Sequence, residues 1–309
     1  MLPKPGDFFS VMYHYVRPAE ESALRYIELN NFQKHLDFFE KNYGLVSRGQ
    51  WERFRETGYK PTGALLTFDD GLKDHFRFVL PALLDRGIFA IFYVCTNPLK
   101  NLALPVNLTH YMLANHDAEN IWNKFNSRGS PLDLNRIFDD KSYLAYVNRD
   151  HSFFENSLKR LVNYASKDVG QTNFLFDIFT EFTNLTQKQF IEMWYMNEAD
   201  ILDVNNKGFE IGSHTCSHRL MSRLTDPEID YELRSSKNIL GELSKTEVKS
   251  FCFPFGRAHS YNSKIINKLE QSGYSESFDV NPQPIDDKFL KSDARFQLPR
   301  YDCILFNID

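Results

Sequence analysis

Cysteine is scarce in this sequence and never closely paired. The 309 residues include four (Cys95, Cys216, Cys252 and Cys303), with no Cys-x-x-Cys spacing among them. That excludes a structural zinc knuckle and leaves small buried hydrophobes suited to a reducing compartment. Runs of Lys or Arg are absent too, and the formal net charge is −5. Without a basic footprint for a phosphate backbone, nucleic acid is excluded as a partner. No apolar run reaches the roughly 18 residues that a bilayer-spanning helix needs. The opening "MLPKPGDFFSVMYHYVRP" has no apolar h-region and no small-residue cleavage site, so it does not read as a signal peptide. The expectation is a cytoplasmic protein, free or at the inner face of the membrane. Internal repeats and low-complexity segments are missing as well.

What is present is an ordinary soluble composition, 42% hydrophobic and 25% charged, on a chain long enough for one large domain with a full core. Phe and Tyr are abundant, 28 and 15 residues, which points to a Phe-rich core with a minority left to line a groove. Short apolar runs alternate with amphipathic ones. "DFFSVMYHY" (7–15), "ALLTFDD" (64–70), "IFAIFYV" (88–94), "GFEIGSH" (208–214), "KSFCFPFG" (249–256) and "ARFQLPRYDC" (294–303) read as strands. "NNFQKHLDFFEKNYG" (30–44), "FRFVLPALLDRG" (76–87), "TDPEIDYELRSSKNILGEL" (225–243) and "YNSKIINKLEQSG" (261–273) read as helices, closed or opened by glycine, threonine or proline. Strands alternating with helices predict a parallel sheet with helices outside, and seven or eight strands favour a distorted (β/α)7-8 barrel over an open sheet. Chemistry then belongs at the C-terminal ends of the strands. Residues 97–206 break the rhythm and read as a helical insertion within a single domain spanning 1–309. Its histidines, His110, His116 and His151, read as surface residues, and Trp122 or Trp194 as packing or as a face for a sugar ring.

Two stretches carry the chemistry. In "LLTFDDGLKDH" (65–75) two carboxylates, Asp69 and Asp70, stand side by side at a strand end although they repel each other. In "EIGSHTCSHRLMSRL" (210–224), His214 and His218 are four apart, a spacing at which two imidazoles share one face of a helical turn and reach one ion. With an acid as third ligand they would make a site that keeps a position open for water and substrate. Side chains alternate along a strand, so the two aspartates need a bend to act together, and Gly71 supplies the freedom for it. One acid would hold the ion and the other face the water.

"TFDDG" (67–71), "SHTCSH" (213–218) and "CFPFG" (252–256), in this order, resemble the polysaccharide deacetylases with a NodB-homology domain, carbohydrate esterase family 4. The resemblance covers residues 7–96 and 207–303. It implies a distorted (β/α) barrel and hydrolysis of an N-acetyl, O-acetyl or N-formyl group from a sugar. Asp69 would be the catalytic base, and Asp70, His214 and His218 the ligands of one divalent ion, zinc ahead of cobalt or nickel. A backbone N–H near Phe255 would stabilise the oxyanion, with Pro254 and Phe255 against the substrate. Many members carry a general-acid histidine in a C-terminal Leu-x-His motif, but "LPRYDCILFNID" has none. His14, at the end of the first strand, resembles a circularly permuted branch and takes that role. Many members also have an arginine just before the Pro-Tyr/Phe motif. Here Arg300 is expected to replace it beside Asp69, with Asp302 orienting His14. A nucleotide-linked, lipid-linked or oligomeric sugar is the expected substrate. The rival expectations are an amidase acting on a non-sugar amide and a catalytically silent carbohydrate-binding protein.

Overall fold

The structure, a computed structural model, describes residues 2–19, 24–128, 152–162, 169–290 and 294–306. Seven strands form one parallel sheet. In chain order these are β1 (Phe8–Tyr13), β4 (Gly63–Phe68), β5 (Ala90–Val94), β6 (Glu210–Ser213), β7 (Ser250–Cys252), β8 (Glu276–Phe278) and β9 (Arg300–Asp302). The spatial order is β8-β7-β6-β5-β4-β1-β9. A separate pair, β2 (Val16–Arg17) and β3 (Ile27–Glu28), follows β1. The sheet curls until its edges nearly meet. Leu298 bridges to Phe278 on β8, and two residues later Arg300 pairs with Ser10 on β1.

Every residue of β1, β4 and β5 is buried, as a strand covered on both faces requires. Alternation sorts their side chains into two cores. Phe9, Val11, Tyr13, Leu66, Phe68 and Phe92 pack outward under the helices. Phe8, Leu65, Ile91, Tyr93, Cys252 and Phe278 gather in a second cluster inside the barrel. The inward parity on β1 runs on to His14, on β4 to Asp69 and on β6 to His214. Gly212 keeps that parity on β6 because the Tyr93 ring lies where its Cβ would be, at 2.3 Å. Below this cluster Arg55 reaches Glu210 and Glu276 at 2.5 and 2.8 Å, filling the end of the barrel opposite the aspartates.

The helices between the strands are α1 (Leu29–Asn42), α2 (Arg48–Thr57) and α3 (Leu80–Arg86), the last preceded by a π-helical turn at His75–Val79. Between β5 and β6 come α4 (Pro105–Asn115), α5 (Ala118–Ser127), α6 (Phe153–Arg160), α7 (Val169–Thr183), α8 (Gln187–Trp194) and α9 (Glu198–Asn206). The chain continues with α10 (Asp226–Ser244) and α11 (Ser263–Gln271). Most of the segment between β5 and β6 has its own core, built on Leu104, Leu108, Phe125, Phe179 and Phe190, and this core packs onto Tyr15, Leu72 and Cys95 at the barrel's rim. Its last helix, α9, instead places Ile201 and Val204 in the barrel core.

Sequence and structure differ in places. The last strand is only Arg300–Asp302, because Ala294–Gln297 forms a 3-10 turn. α2 and β8 are additional elements, the latter too short to stand out as an apolar run. Residues 129–151 and 163–168 of the expected helical insertion lie outside the described residues, His151 among them. His110 is half-buried and not freely exposed, and its Nδ1 hydrogen-bonds the Tyr15 hydroxyl at 3.0 Å. Trp194 is 5% exposed and stacks on Phe190, so its ring is a packing element.

Candidate active site

The ends of β1, β4, β6, β7 and β9 converge on the two aspartates. Asp69 keeps the inward parity of β4, and Arg300 enters the barrel from β9 to meet it. Arg300 Nη1 and Nη2 donate to Asp69 Oδ1 and Oδ2 at 2.8 and 2.7 Å, a two-pronged, charge-assisted contact. Nη1 also donates to Thr67 at 3.1 Å, and Cys252 Sγ lies 2.9 Å from Nη2. Both partners of the pair are buried. Burial alone would raise the Asp69 pKa, but the Arg300 guanidinium, helped by His214, brings it down to about 2. Asp69 is therefore an anion at neutral pH.

Asp70 leaves the strand's parity by a backbone turn. Its φ is +76°, and Gly71 follows at +68°. The bend thus begins at the aspartate itself. Gly71 completes it beside Val94, whose Cγ1 would lie 3.0 Å from any added Cβ. Positive φ is uncommon for residues other than glycine. Among the described residues it recurs at Asn101, Asn184, Thr215, His218, Lys245 and Phe255, of which Thr215, His218 and Phe255 lie around this site. Strained backbone held by its surroundings is a mark of functional sites.

The turn aims Asp70 Oδ1 at two imidazoles. His214 Nε2 lies 3.5 Å away and His218 Nε2 3.4 Å. His214 Nδ1 donates to the Cys252 carbonyl at 2.8 Å, which fixes the ring's orientation and turns Nε2 toward Asp70. Burial holds His218 down at about 4, whereas for His214 the influence of Cys252 and Asp70 outweighs burial and raises it well above its usual value. Burial would also raise Asp70, but the facing imidazoles keep it well below the usual carboxylate range. The three ligand atoms lie within 4.8 Å of one another, and the buried Asp70 Oδ1 has no hydrogen-bond partner. A buried carboxylate oxygen left without a hydrogen bond and facing two imidazole nitrogens is satisfied by a cation, so these residues fit a metal ion.

The expected helical turn between the two histidines does not form. Residues 214–218 are an irregular loop with Thr215 and His218 at positive φ. The loop is pinned by Glu232 of α10, whose carboxylate accepts from the backbone N–H groups of Cys216 and Ser217 at 2.7 and 3.0 Å. The rings still meet, with centroids 4.9 Å apart.

His14 stands at the mouth, its side chain 38% exposed, with Nε2 4.0 Å from Asp69 Oδ2. His75 donates to the His14 carbonyl at 2.7 Å and anchors it from below. Asp302 is not brought to His14. Its carboxylate accepts from the Ile304 N–H at 3.3 Å and caps the final turn. Pro254 is buried, and the half-buried Phe255 sets its ring edge-on to His218 at 4.9 Å.

Three neighbours were not singled out from the sequence. Cys252 flanks the base, with Sγ 3.6 Å from Asp69 Oδ2. Asp279, just past β8, accepts from Tyr261 at 2.6 Å through Oδ2 while its buried Oδ1 has no hydrogen-bond partner. Burial raises that carboxyl to about 6. Asn107 of α4 donates to Asp70 Oδ2 at 3.1 Å. Asp279 had one available signal, an acid directly after a strand end. Asn107 had none.

Residues 167–277 match the family model described as polysaccharide deacetylase. The match contains "SHTCSH" and "CFPFG" and begins well after Asp69. No curated protein matches the chain. Among solved structures, the Streptococcus pyogenes deacetylase PplD, in complex with acetate, is 13% identical with a TM-score of 0.59, over 97% of this chain and 93% of that one. A de-N-acetylase from Aggregatibacter actinomycetemcomitans is 16% identical, with a TM-score of 0.57 over 95% and 94% of the two chains. The BpsB deacetylase domain from Bordetella bronchiseptica is 16% identical, with a TM-score of 0.56 over 97% and 99%. At such identities the likeness establishes the fold, the nearly closed barrel of the deacetylases.

Proposed function

We propose that this chain, of which residues 167–277 match the polysaccharide deacetylase model and whose barrel is of the deacetylase type, is a metal-dependent hydrolase removing an N-acetyl group from a sugar. One observation carries the reading: two adjacent carboxylates have opposite surroundings. Asp69 is gripped by a guanidinium inside the barrel, and Asp70 turns a bare oxygen to two imidazoles. Asp70, His214 and His218 would hold one divalent ion, and this donor set suits zinc, with cobalt or nickel as substitutes. When bound, such an ion polarises the amide carbonyl and lowers the pKa of water beside it.

The chain's own residues do the rest. Asp69, anionic and fixed by Arg300, takes the proton from the attacking water. The Phe255 backbone N–H donates to the oxyanion that develops as the carbonyl becomes tetrahedral, and Pro254 and Phe255 form the wall behind the acyl group. His14 gives a proton to the leaving amine from the open side of the site. An N-formyl or O-acetyl group would pass through the same steps. The substrate would be a nucleotide-linked, lipid-linked or oligomeric sugar used in making a surface polysaccharide or lipopolysaccharide. The four cysteines are free and buried, which suits the cytoplasm.

The test is acetate and formate release from a panel of N-acetylated sugars, nucleotide sugars and oligosaccharides, with zinc- or cobalt-loaded protein and a chelated control. Release from one sugar class that the chelator abolishes is the expected result. Release from simple non-sugar amides alone would move the activity to an amidase. Release unaffected by chelation would refute the metal site.

A further inference from the structure

Among the described residues, the helical segment between β5 and β6 reaches the candidate metal site through Asn107. Asn107, in the first turn of α4, is fully buried. Its Nδ2 donates to Asp70 Oδ2 at 3.1 Å and to the Tyr15 hydroxyl at 2.9 Å. Its Oδ1 accepts from the Tyr195 hydroxyl at 2.8 Å.

The carboxylate sets the direction of this network. Asp70 Oδ2 accepts, so the amide turns its two protons toward Asp70 and Tyr15 and its Oδ1 toward Tyr195. The Tyr195 hydroxyl donates to that Oδ1 while its oxygen accepts the Leu104 N–H at 3.2 Å. Tyr15, having accepted one of them, gives its own proton to His110 Nδ1 at 3.0 Å. That nitrogen can accept because burial keeps the His110 ring neutral, its pKa lowered to about 3. With the network set, the two oxygens of Asp70 are unlike. Oδ2 holds an amide proton, and Oδ1 has no hydrogen bond and faces His214 and His218.

We propose that Asn107 is a positioning residue for the metal ligand Asp70. It fixes the rotation of the carboxylate so that one oxygen is presented to the ion. The proposal rests on the reading of Asp70, His214 and His218 as the ligands. An amide suits the task because it orients a carboxylate without adding a positive charge that would compete with the ion. Partners of this kind around a ligand are worth roughly 10–100-fold in metal affinity.

The experiment uses the full chain, stripped with chelator and titrated with zinc against a chromophoric competitor, alongside cobalt absorption spectra. Asn107→Ala should weaken zinc about 10–100-fold and change the cobalt bands as Asp70 loses its fixed rotation. Tyr195→Phe, which keeps the amide but frees its other end, should weaken zinc by a smaller factor. Leu108→Ala, in the same helix but buried in its own core, should lower the melting temperature and leave zinc affinity alone. A folded Asn107→Ala protein binding zinc within about twofold of wild type would overturn the proposal. Should Asn107→Ala fail to fold, an unchanged affinity in Tyr195→Phe overturns it equally. A wild-type protein that binds no zinc would instead refute the ligand reading beneath it.

Discussion

The strand ends and the helical segment between β5 and β6 both deliver side chains to Asp70, and they do so under different rules. His214 and Asp69 arrive by alternation along short buried strands whose register the barrel fixes. Asn107 arrives because a helix with its own hydrophobic core docks on the rim through Tyr15 and Leu72. In the first case the position follows from counting along a few residues. In the second it follows from how one core packs against another. The strand ends accordingly supply the groups assigned to the chemistry, and the helical segment supplies a group that aligns them.

Loss of a strand-end ligand should have the largest effect. His214→Ala should abolish zinc binding in the titration and reduce acetate release to the level of the chelated control. Next comes the base. Asp69→Asn should keep the metal and lower turnover by about 10²–10⁴-fold, the range of a positioned general base. Near-normal turnover in that variant would break the assignment of roles.

Arg300→Met leaves Asp69 buried without its partner. Removing one member of a buried ion pair destabilises by about 3–5 kcal/mol, readable as a lower urea midpoint. The same change should raise the pKa of the base and move the acidic limb of the pH–rate profile upward, because the guanidinium is what offsets burial there.

His75 gives a pH test at a buried histidine that is not itself a proposed ligand. Burial lowers it from 6.5 to about 4. Native His75 stays neutral in a range where the unfolded chain takes up a proton. The stability from its folded environment is full above about pH 6.5 and is lost as pH falls toward 4, at up to about 1.4 kcal/mol per pH unit. Melting curves between pH 7.5 and 5 should slope in that direction, with His110 and His218 adding to it, and His75→Gln should reduce the slope by its own share. Asp302→Asn should have the smallest effect, with turnover within about twofold of wild type, since this carboxylate caps a turn and does not reach His14.

Much of the barrel was legible because its strands are short apolar runs separated by capped helices. The inward face of β4 could be counted from Leu65 to Asp69. The Arg300 contact could be anticipated from barrel closure, which sets the last strand beside the first. Parity failed for Asp302, because the chain turns away directly after β9. The histidine spacing suggested the right neighbours and the wrong backbone, since Glu232, 14 residues beyond His218 in the sequence, shapes that loop. Asn107 left no local trace at all, because an asparagine in the first turn of a helix is unremarkable until the helix is placed.

The most direct measurement is the zinc content of wild type, Asp69→Asn and Asp70→Asn after stripping and reconstitution under the same conditions. The account predicts that wild type and Asp69→Asn each retain a single zinc ion and that Asp70→Asn retains none. Zinc lost from Asp69→Asn but kept by Asp70→Asn would contradict the division between the two aspartates.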